Sequence, residues 1–393
     1  MERVEAHERS RYALRSAWAA ALSVTCGLLP VFLVGGLAPF IAVDLDFGPR
    51  VLGYTVGAFF ALSALASWQA GRLSSAHRPA DVLTWASVLQ AVTAVVAAAL
   101  AFHWSHLLLW VSLAGLVNGA VQPAANLILL QHRGPERLGR ALGLKQSATP
   151  LASILVGAAI PAVALTVGWR WAIGLPIAVA LMLFAVIPRA GTVTTRVEGR
   201  APTRALVDRV AVALLALGAG CAAGAGVAAT SFLVTTATVR EIPAATAGTI
   251  LSATGIVNVV VLVASGWYAD RYGSSRRSRP LAWLLAVGVV GYILVASADA
   301  TVFLVIGAII AVGFGWGWHV FLHLSALSGG FGAAGKITGA VMAGVFTGCL
   351  LVPVLFGVVA EAFSNRAGWW VLTATATVGV TAFVLSASQE RVS

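Results

Sequence analysis

Long apolar runs separated by short polar gaps set the character of this chain. Two of the clearest, Ala247 to Trp267 and Pro280 to Ala298, hold no charged residue, and each is long enough to cross a ~30 Å hydrocarbon layer as a helix. Matching the runs against a span of about twenty residues predicts twelve helices, at roughly 18–43, 51–70, 82–102, 107–131, 146–167, 171–188, 210–234, 246–268, 280–298, 301–325, 337–360 and 368–387. The first run is too long for the apolar part of a signal peptide, so it is expected to remain as a span. The longest polar gap, 189–209, reads as a cytoplasmic linker between an N-terminal six-helix bundle (1–188) and a C-terminal one (210–393). Local echoes support the division. Gly71-Arg72-Leu73-Ser74-Ser75 follows helix 2 as Gly266 to Asp270 follows helix 8, and Gly168-Trp169-Arg170-Trp171 precedes helix 6 as Gly368-Trp369-Trp370 precedes helix 12. The expected fold is therefore an all-α integral membrane protein of two pseudo-symmetric six-helix bundles, with its site at mid-membrane between them.

Charge sharpens the topology. With the N-terminus inside, all of the 25 Lys and Arg except Arg50, Arg170, Arg240 and Arg366 fall on the cytoplasmic side, the asymmetry that orients membrane proteins. Both termini are then cytoplasmic, and the expected location is the inner (plasma) membrane. Trp residues cluster near both predicted surfaces, as indole prefers; only Trp316 and Trp318 sit inside a span. Composition agrees: 10% charged, 59% hydrophobic and a mean hydropathy of +0.92 do not suit a water-soluble surface. The net charge of +11 sits in the gaps between spans rather than on one solvated face, so no nucleic-acid partner is expected. Cys26, Cys221 and Cys349 lie in separate spans without metal-type spacing and read as reduced, buried thiols.

The turn after helix 8 runs Gly266-Trp267-Tyr268-Ala269-Asp270-Arg271-Tyr272-Gly273-Ser274-Ser275-Arg276-Arg277. Gly, three residues, Asp-Arg, one residue, Gly, then a pair of Arg resembles the cytoplasmic loop signature of major facilitator superfamily (MFS) transporters, which in that family stands between helices 2 and 3 and, more weakly, between 8 and 9. The resemblance implies a rocker-switch transporter. It also implies a partner for Asp270, the start of helix 5 near Gly139 to Gln146, where Arg140 and Lys145 would engage the carboxylate. A carboxylate there caps a helix N-terminus through hydrogen bonds and the helix dipole, and the contact would latch the cytoplasmic side shut. The gate motif thus comprises Gly266, Asp270, Arg271, Gly273, Arg276 and Arg277 with Arg140 and Lys145, and Gly71 and Ser75 in the first half. There the pattern departs from the family: Ser75 stands where Asp is usual, and Ala76-His77-Arg78-Pro79 lacks the Gly and basic pair. Gly115 also stands where many proton-driven drug exporters of the family carry an Arg.

Inside the spans, Asn118, Gln122 and Asn126 share one stripe of helix 4, and amides in hydrocarbon must face partners or a cavity. Helix 10 carries Gly313-Phe314-Gly315-Trp316-Gly317-Trp318-His319 and then His323, which combines flexible backbone, a flat stacking surface and a titratable ring. Counting 1.5 Å per residue from Gly313 puts His319 roughly 9 Å and His323 roughly 15 Å toward the cytoplasm, so His323 reads as interfacial. The expected cavity set is Asn118, Gln122, Asn126, Trp316, His319, Asn258 and Thr230. Gly115/Gly119, Gly220/Gly224, Gly313/Gly317 and Gly344/Gly348 have the small-x-x-x-small spacing of helix packing.

No charged residue falls in the middle of a predicted span, and Lys145 reads as an inner end. A cavity without fixed charge favours a small neutral or weakly polar organic substrate. The expected function is a secondary transporter, monomeric in the bilayer and without cofactor or metal, with export preferred over uptake or facilitation. Proton coupling is open, through His319 or a rim carboxylate such as Asp44. An enzyme would need converging carboxylates, His or Cys, whereas Asp44 and Asp46 stand apart from any His. A non-transporting receptor would lack a solvent path to the Asn118 stripe.

Overall fold

The computed structural model describes residues 2–130, 138–187, 209–272, 278–327 and 330–389. Among these residues there is no strand, and twelve helices are long and apolar enough to cross a membrane. In chain order they are α1 (Leu14–Leu45), α2 (Pro49–Ser67), α3 (Pro79–Leu100), α4 (Trp104–Leu129), α5 (Gly139–Val167), α6 (Trp169–Val186), α7 (Arg209–Val239), α8 (Ala244–Arg271), α9 (Arg279–Ser297), α10 (Thr301–Ser325), α11 (Ile337–Ala362) and α12 (Asn365–Gln389). The count agrees with the hydropathy pattern, but α5 begins at Gly139, two turns before the expected boundary at 146. The linker expected at 189–209 lies outside the described residues except for Arg209, where α7 starts. The face bearing Gly139, Arg271 and Arg279 is here termed the basic face.

Lipid supplies no hydrophobic drive between helices, so packing depends on small residues that let backbones approach. Within the first six helices, a Cβ on Gly115 of α4 would collide with the Phe59 carbonyl of α2, and one on Gly119 with that of Ser63. Within the last six, Gly344 and Gly348 of α11 press on the Ala216 and Gly220 carbonyls of α7. Close glycine contacts also join the two sets. Gly35 of α1 meets Ser231 of α7, where an added Cβ would lie 2.7 Å from the Ser231 Cα; Gly53 of α2 meets Pro353 of α11, and Gly248 of α8 meets Gly157 of α5. Ser252 of α8 also donates to the Ile154 carbonyl of α5 at 3.0 Å.

The halves share details at the face opposite the basic one. Trp169, at the start of α6, is buried and donates its indole N–H to Asp44 at the end of α1 (2.6 Å). Trp369, near the start of α12, is buried and donates to Thr236 near the end of α7 (2.8 Å). Arg170 binds the Ala98 and Ala101 carbonyls at the end of α3, and Arg366 binds the Ala298 carbonyl at the end of α9. The α1–α2 and α7–α8 connections each place an acidic residue in the left-handed region, Asp46 (φ 48°) and Glu241 (φ 60°). Beside Glu241, burial and the nearby Arg366 guanidinium push the Arg240 pKa down from its ordinary value, with Asp299 opposing them.

Two helices break regularity. α5 widens into a π turn at Ile160–Ala164 that contains Pro161, whose missing N–H and ring disturb the α ladder. α10 has a π turn at Ile309–Phe314 and then residues 315–318 in a non-helical turn, where the Gly313-to-Gly317 repeat permits close approach to α8 and α9. Cys26 and Cys349 are buried, whereas Cys221 is only partly so; all three are free thiols.

Candidate functional site

A cavity lies between the two halves, bounded by α1, α2, α4, α5, α7, α10 and α11. About 90 Å³ of it admits water-sized spheres. Helix directions order its wall. Phe32 of α1 and Trp316 of α10 stand at the end away from the basic face and meet edge to face, with centroids 6.5 Å apart at 81°. The end nearer the basic face holds the polar groups Asn118, Gln122, Lys145, Gln146, His319 and His323. Phe60, Leu322 and Phe346 supply apolar wall.

Of the residues expected here, Asn118, Gln122, Trp316 and His319 line the cavity, while Asn126, Asn258 and Thr230 fall outside its wall. The amide of Asn258 is taken up in tying α8 to α10, donating to the Gly313 carbonyl at 2.8 Å. Thr230 donates to the Gly226 carbonyl of its own helix at 2.9 Å, the usual fate of a hydroxyl inside a helix. Asn118 donates to Ser63 Oγ at 3.1 Å, and its Oδ1 is buried without a protein partner.

Lys145 corrects the sequence reading. Expected to join Asp270 in the gate, it is 2% exposed in the cavity wall, its Nζ 3.1 Å from Gln122 Oε1. Arg140 and Lys145 are five residues apart, which turns them about 140° from each other on a helix, so they cannot share a partner. With α5 starting at Gly139, Lys145 lies about 9 Å along the helix rather than in a loop. The cavity wall therefore carries a lysine ammonium group, and the expectation of a wall without Asp, Glu, Lys or Arg does not stand.

His323, read as interfacial, also reaches the wall. The count along α10 from Gly313 assumed a continuous α-helix, and the turn at residues 315–318 interrupts it. His319 is held on both ring nitrogens by one residue: Trp316 Nε1 donates to its Nε2 at 2.8 Å, and its Nδ1 is 3.0 Å from the Trp316 carbonyl. Together these bonds select the tautomer protonated on Nδ1, and protonating Nε2 requires breaking the indole bond. Trp318 stacks on the ring, with centroids 3.8 Å apart.

At the basic face, Asp270 at the end of α8 meets the start of α5. Its Oδ1 accepts from the Gly139 N–H at 2.7 Å, its Oδ2 from the Arg140 N–H at 3.0 Å, and the Arg140 guanidinium lies 3.6 Å from Oδ2. The carboxylate thus occupies two of the free N–H groups that open a helix, where the dipole favours negative charge. Glycine on both sides makes the approach possible: a Cβ on Gly139 would lie 2.6 Å from the Gly266 carbonyl, and one on Gly266 2.5 Å from that of Gly139. Arg271 places its guanidinium 5.6 Å from the Trp267 ring centroid. Gly273, Arg276 and Arg277 lie outside the described residues. Gly71 and Ser75 fall on the helical run Pro49–Ala76, with their side chains outside the described set.

The opposite face carries a counterpart that sequence reasoning missed. Glu361, at the end of α11, accepts from the Arg50 N–H at the start of α2 (3.1 Å) and pairs with the Arg50 guanidinium (3.2 Å). Gly48 stands next to it, where a Cβ would meet Glu361 Oε2 at 2.6 Å. Among the described residues no three His, Cys, Asp or Glu side chains gather as a metal site.

Twelve helices, two capped seams and a cavity between them define a multi-pass membrane protein of transporter type. The family profile described as Major Facilitator Superfamily matches residues 20–344, and the chain belongs to that superfamily. Among solved structures, one titled a D-xylose-proton symporter aligns with 95% of this chain and 97% of its own, with a TM-score of 0.76 at 14% identity. That likeness is one of fold. No curated protein matches the sequence.

Proposed function

We propose that this protein is a secondary transporter that carries a small organic molecule through the central cavity by rocker-switch alternating access. The observation that supports it best is the pair of carboxylate caps, Asp270 on α5 and Glu361 on α2, which span the seam on opposite sides of the cavity. Each is a discrete contact that must open when its side opens, and each can reform when that side closes. In this proposal the basic face is cytoplasmic, both termini lie there, the two bundles are 1–188 and 210–393, and one copy suffices.

Counterflow in liposomes containing the purified full-length protein tests the reading, using a chemically diverse panel with and without an imposed pH gradient. Saturable exchange of at least one compound is expected, weakened by Gln122→Ala and His319→Ala. Exchange indistinguishable from protein-free liposomes across the panel, with monodisperse protein, would remove the transporter assignment. The pH-gradient arm addresses coupling, for which His319 must release the Trp316 indole before it takes a second proton. Net flux into or out of the vesicles assigns direction.

A further inference from the structure

Among the described residues, the cavity wall holds one ammonium group and no carboxylate to answer it. Among the described residues, Lys145 makes one polar contact, to Gln122, and no ion pair. An ammonium carries three N–H donors, and Gln122 takes one of them, at the wall of a cavity of about 90 Å³. A charge taken this far out of water is costly unless it is paired. Nothing in the fold requires a lysine here, since the α5–α8 contact is made by Gly139, Gly143 and Asp270 on another side of the helix.

The rest of the wall indicates what would pair with it. His323, also in the wall, spends Nδ1 on the His319 carbonyl at 2.9 Å, which leaves Nε2 for a ligand. Asn118 Oδ1 is a buried acceptor without a protein partner. Away from these groups the wall is apolar and aromatic, with Phe32, Phe60, Phe346 and Trp316. A site with one cation at one end and aromatic surface at the other suits a molecule of the complementary kind.

Resting on the transporter reading above, we infer that the substrate is a small organic monoanion, a carboxylate with an apolar or aromatic body. The carboxylate binds Lys145 Nζ in place of water, beside Gln122, and the body packs toward Phe32 and Trp316. A second carboxylate would find no further cation among the described wall residues, so monoacids are preferred over diacids.

The test uses the full-length purified protein and three probes on one skeleton, benzoate, benzamide and benzylamine, together with phenylacetate and its amide. Binding is read as a ligand-dependent rise in melting temperature, and transport as counterflow in liposomes. The acids are expected to stabilise the protein and to exchange, and the amides and the amine to do neither. Lys145→Gln should weaken the acids about tenfold to a hundredfold, the range set by losing a charged hydrogen-bond partner; Lys145→Arg, which keeps the cation, should lose less. Gln122→Glu supplies an internal carboxylate at the Lys145 contact and should weaken acid binding as much while leaving the melting temperature of the empty protein equal or higher. That variant covers the case in which Lys145→Gln fails to fold.

Amides binding as tightly as acids, no acid binding to the native protein, or acid affinity unchanged in Gln122→Glu would each overturn the inference. The two readings fail separately. Acid binding without exchange supports the anion site and counts against transport, whereas Lys145-independent exchange of a neutral compound keeps transport and overturns the anion site.

Discussion

The two ends of the seam repeat one design with unequal strength. At each, a carboxylate from the C-terminal end of a second-half helix caps the N-terminus of a first-half helix, pairs with the arginine at that terminus, and has a glycine beside it. Asp270 accepts two backbone N–H groups and its side chain is 11% exposed, whereas Glu361 accepts one and is 35% exposed. Better buried and more fully bonded, the Asp270 cap should be the stronger, because charge-assisted bonds gain as water withdraws. On the proposed alternating-access reading, the two caps set the bias between open states, and that bias can be changed at either. Cys349 offers a native reporter, since it is buried and lines the cavity; maleimide labelling of it in a Cys26→Ser, Cys221→Ser background reads the opening of each face.

The largest disturbance should come from Gly266→Val. Its added carbons meet the Gly139 backbone, which cannot yield as a flexible side chain would, for a cost toward the upper end of about 1–3 kcal/mol. Cys349 labelling from the basic face should rise steeply, and a lower melting temperature with unchanged labelling would show the contact to be structural only. Next comes Asp270→Asn, which retains a carbonyl oxygen but loses the charge and one of the two caps, at about 1–2 kcal/mol. Roughly a five- to thirtyfold gain in basic-face labelling is expected, with labelling from the other face flat or reduced.

Glu361→Gln should do the same for the opposite face more weakly. A half-exposed pair with one backbone bond is worth about 0.5–1 kcal/mol, a gain of roughly two- to fivefold. Equal effects of the two substitutions would break the comparison. Smallest of all should be Arg140→Ala and Arg50→Ala, under about 1 kcal/mol each, because both guanidiniums are about half exposed (53% and 46%) and such pairs are weak. Their effects should fade as salt rises from 0.1 to about 1 M and the screening length shrinks from about 10 to about 3 Å.

How far the sequence carried differs between these same regions. The Gly-x-x-x-Asp-Arg spacing at Gly266 to Arg271 pointed to a helix N-terminus, and the helix count followed from apolar runs alone. The Glu361 cap left no local trace, because Arg50 and Glu361 are 311 residues apart and each looks like an ordinary charge at the end of a span. Lys145 shows the sharper failure. Hydropathy placed the start of helix 5 at Gln146, after Arg140 and Lys145, but a carboxylate from another helix can extend a helix into polar sequence by capping it. Two turns of displacement moved a lysine from loop to cavity and changed the expected charge of the substrate. Asn118 and Gln122 were legible as an inward stripe, whereas Asn258 was indistinguishable from them in sequence, since an amide facing a neighbouring carbonyl and one facing a cavity look alike.

The indole pegs at Trp169 and Trp369 have a mechanical corollary. With α6 fastened to α1, α12 to α7, and the ends of α3 and α9 tied in by Arg170 and Arg366, the proposed two-bundle motion would carry each bundle there as a riveted plate and leave bending to the seam. Spin labels placed on α3 and α6 should keep one separation throughout the cycle, while a pair on α2 and α11 should report two.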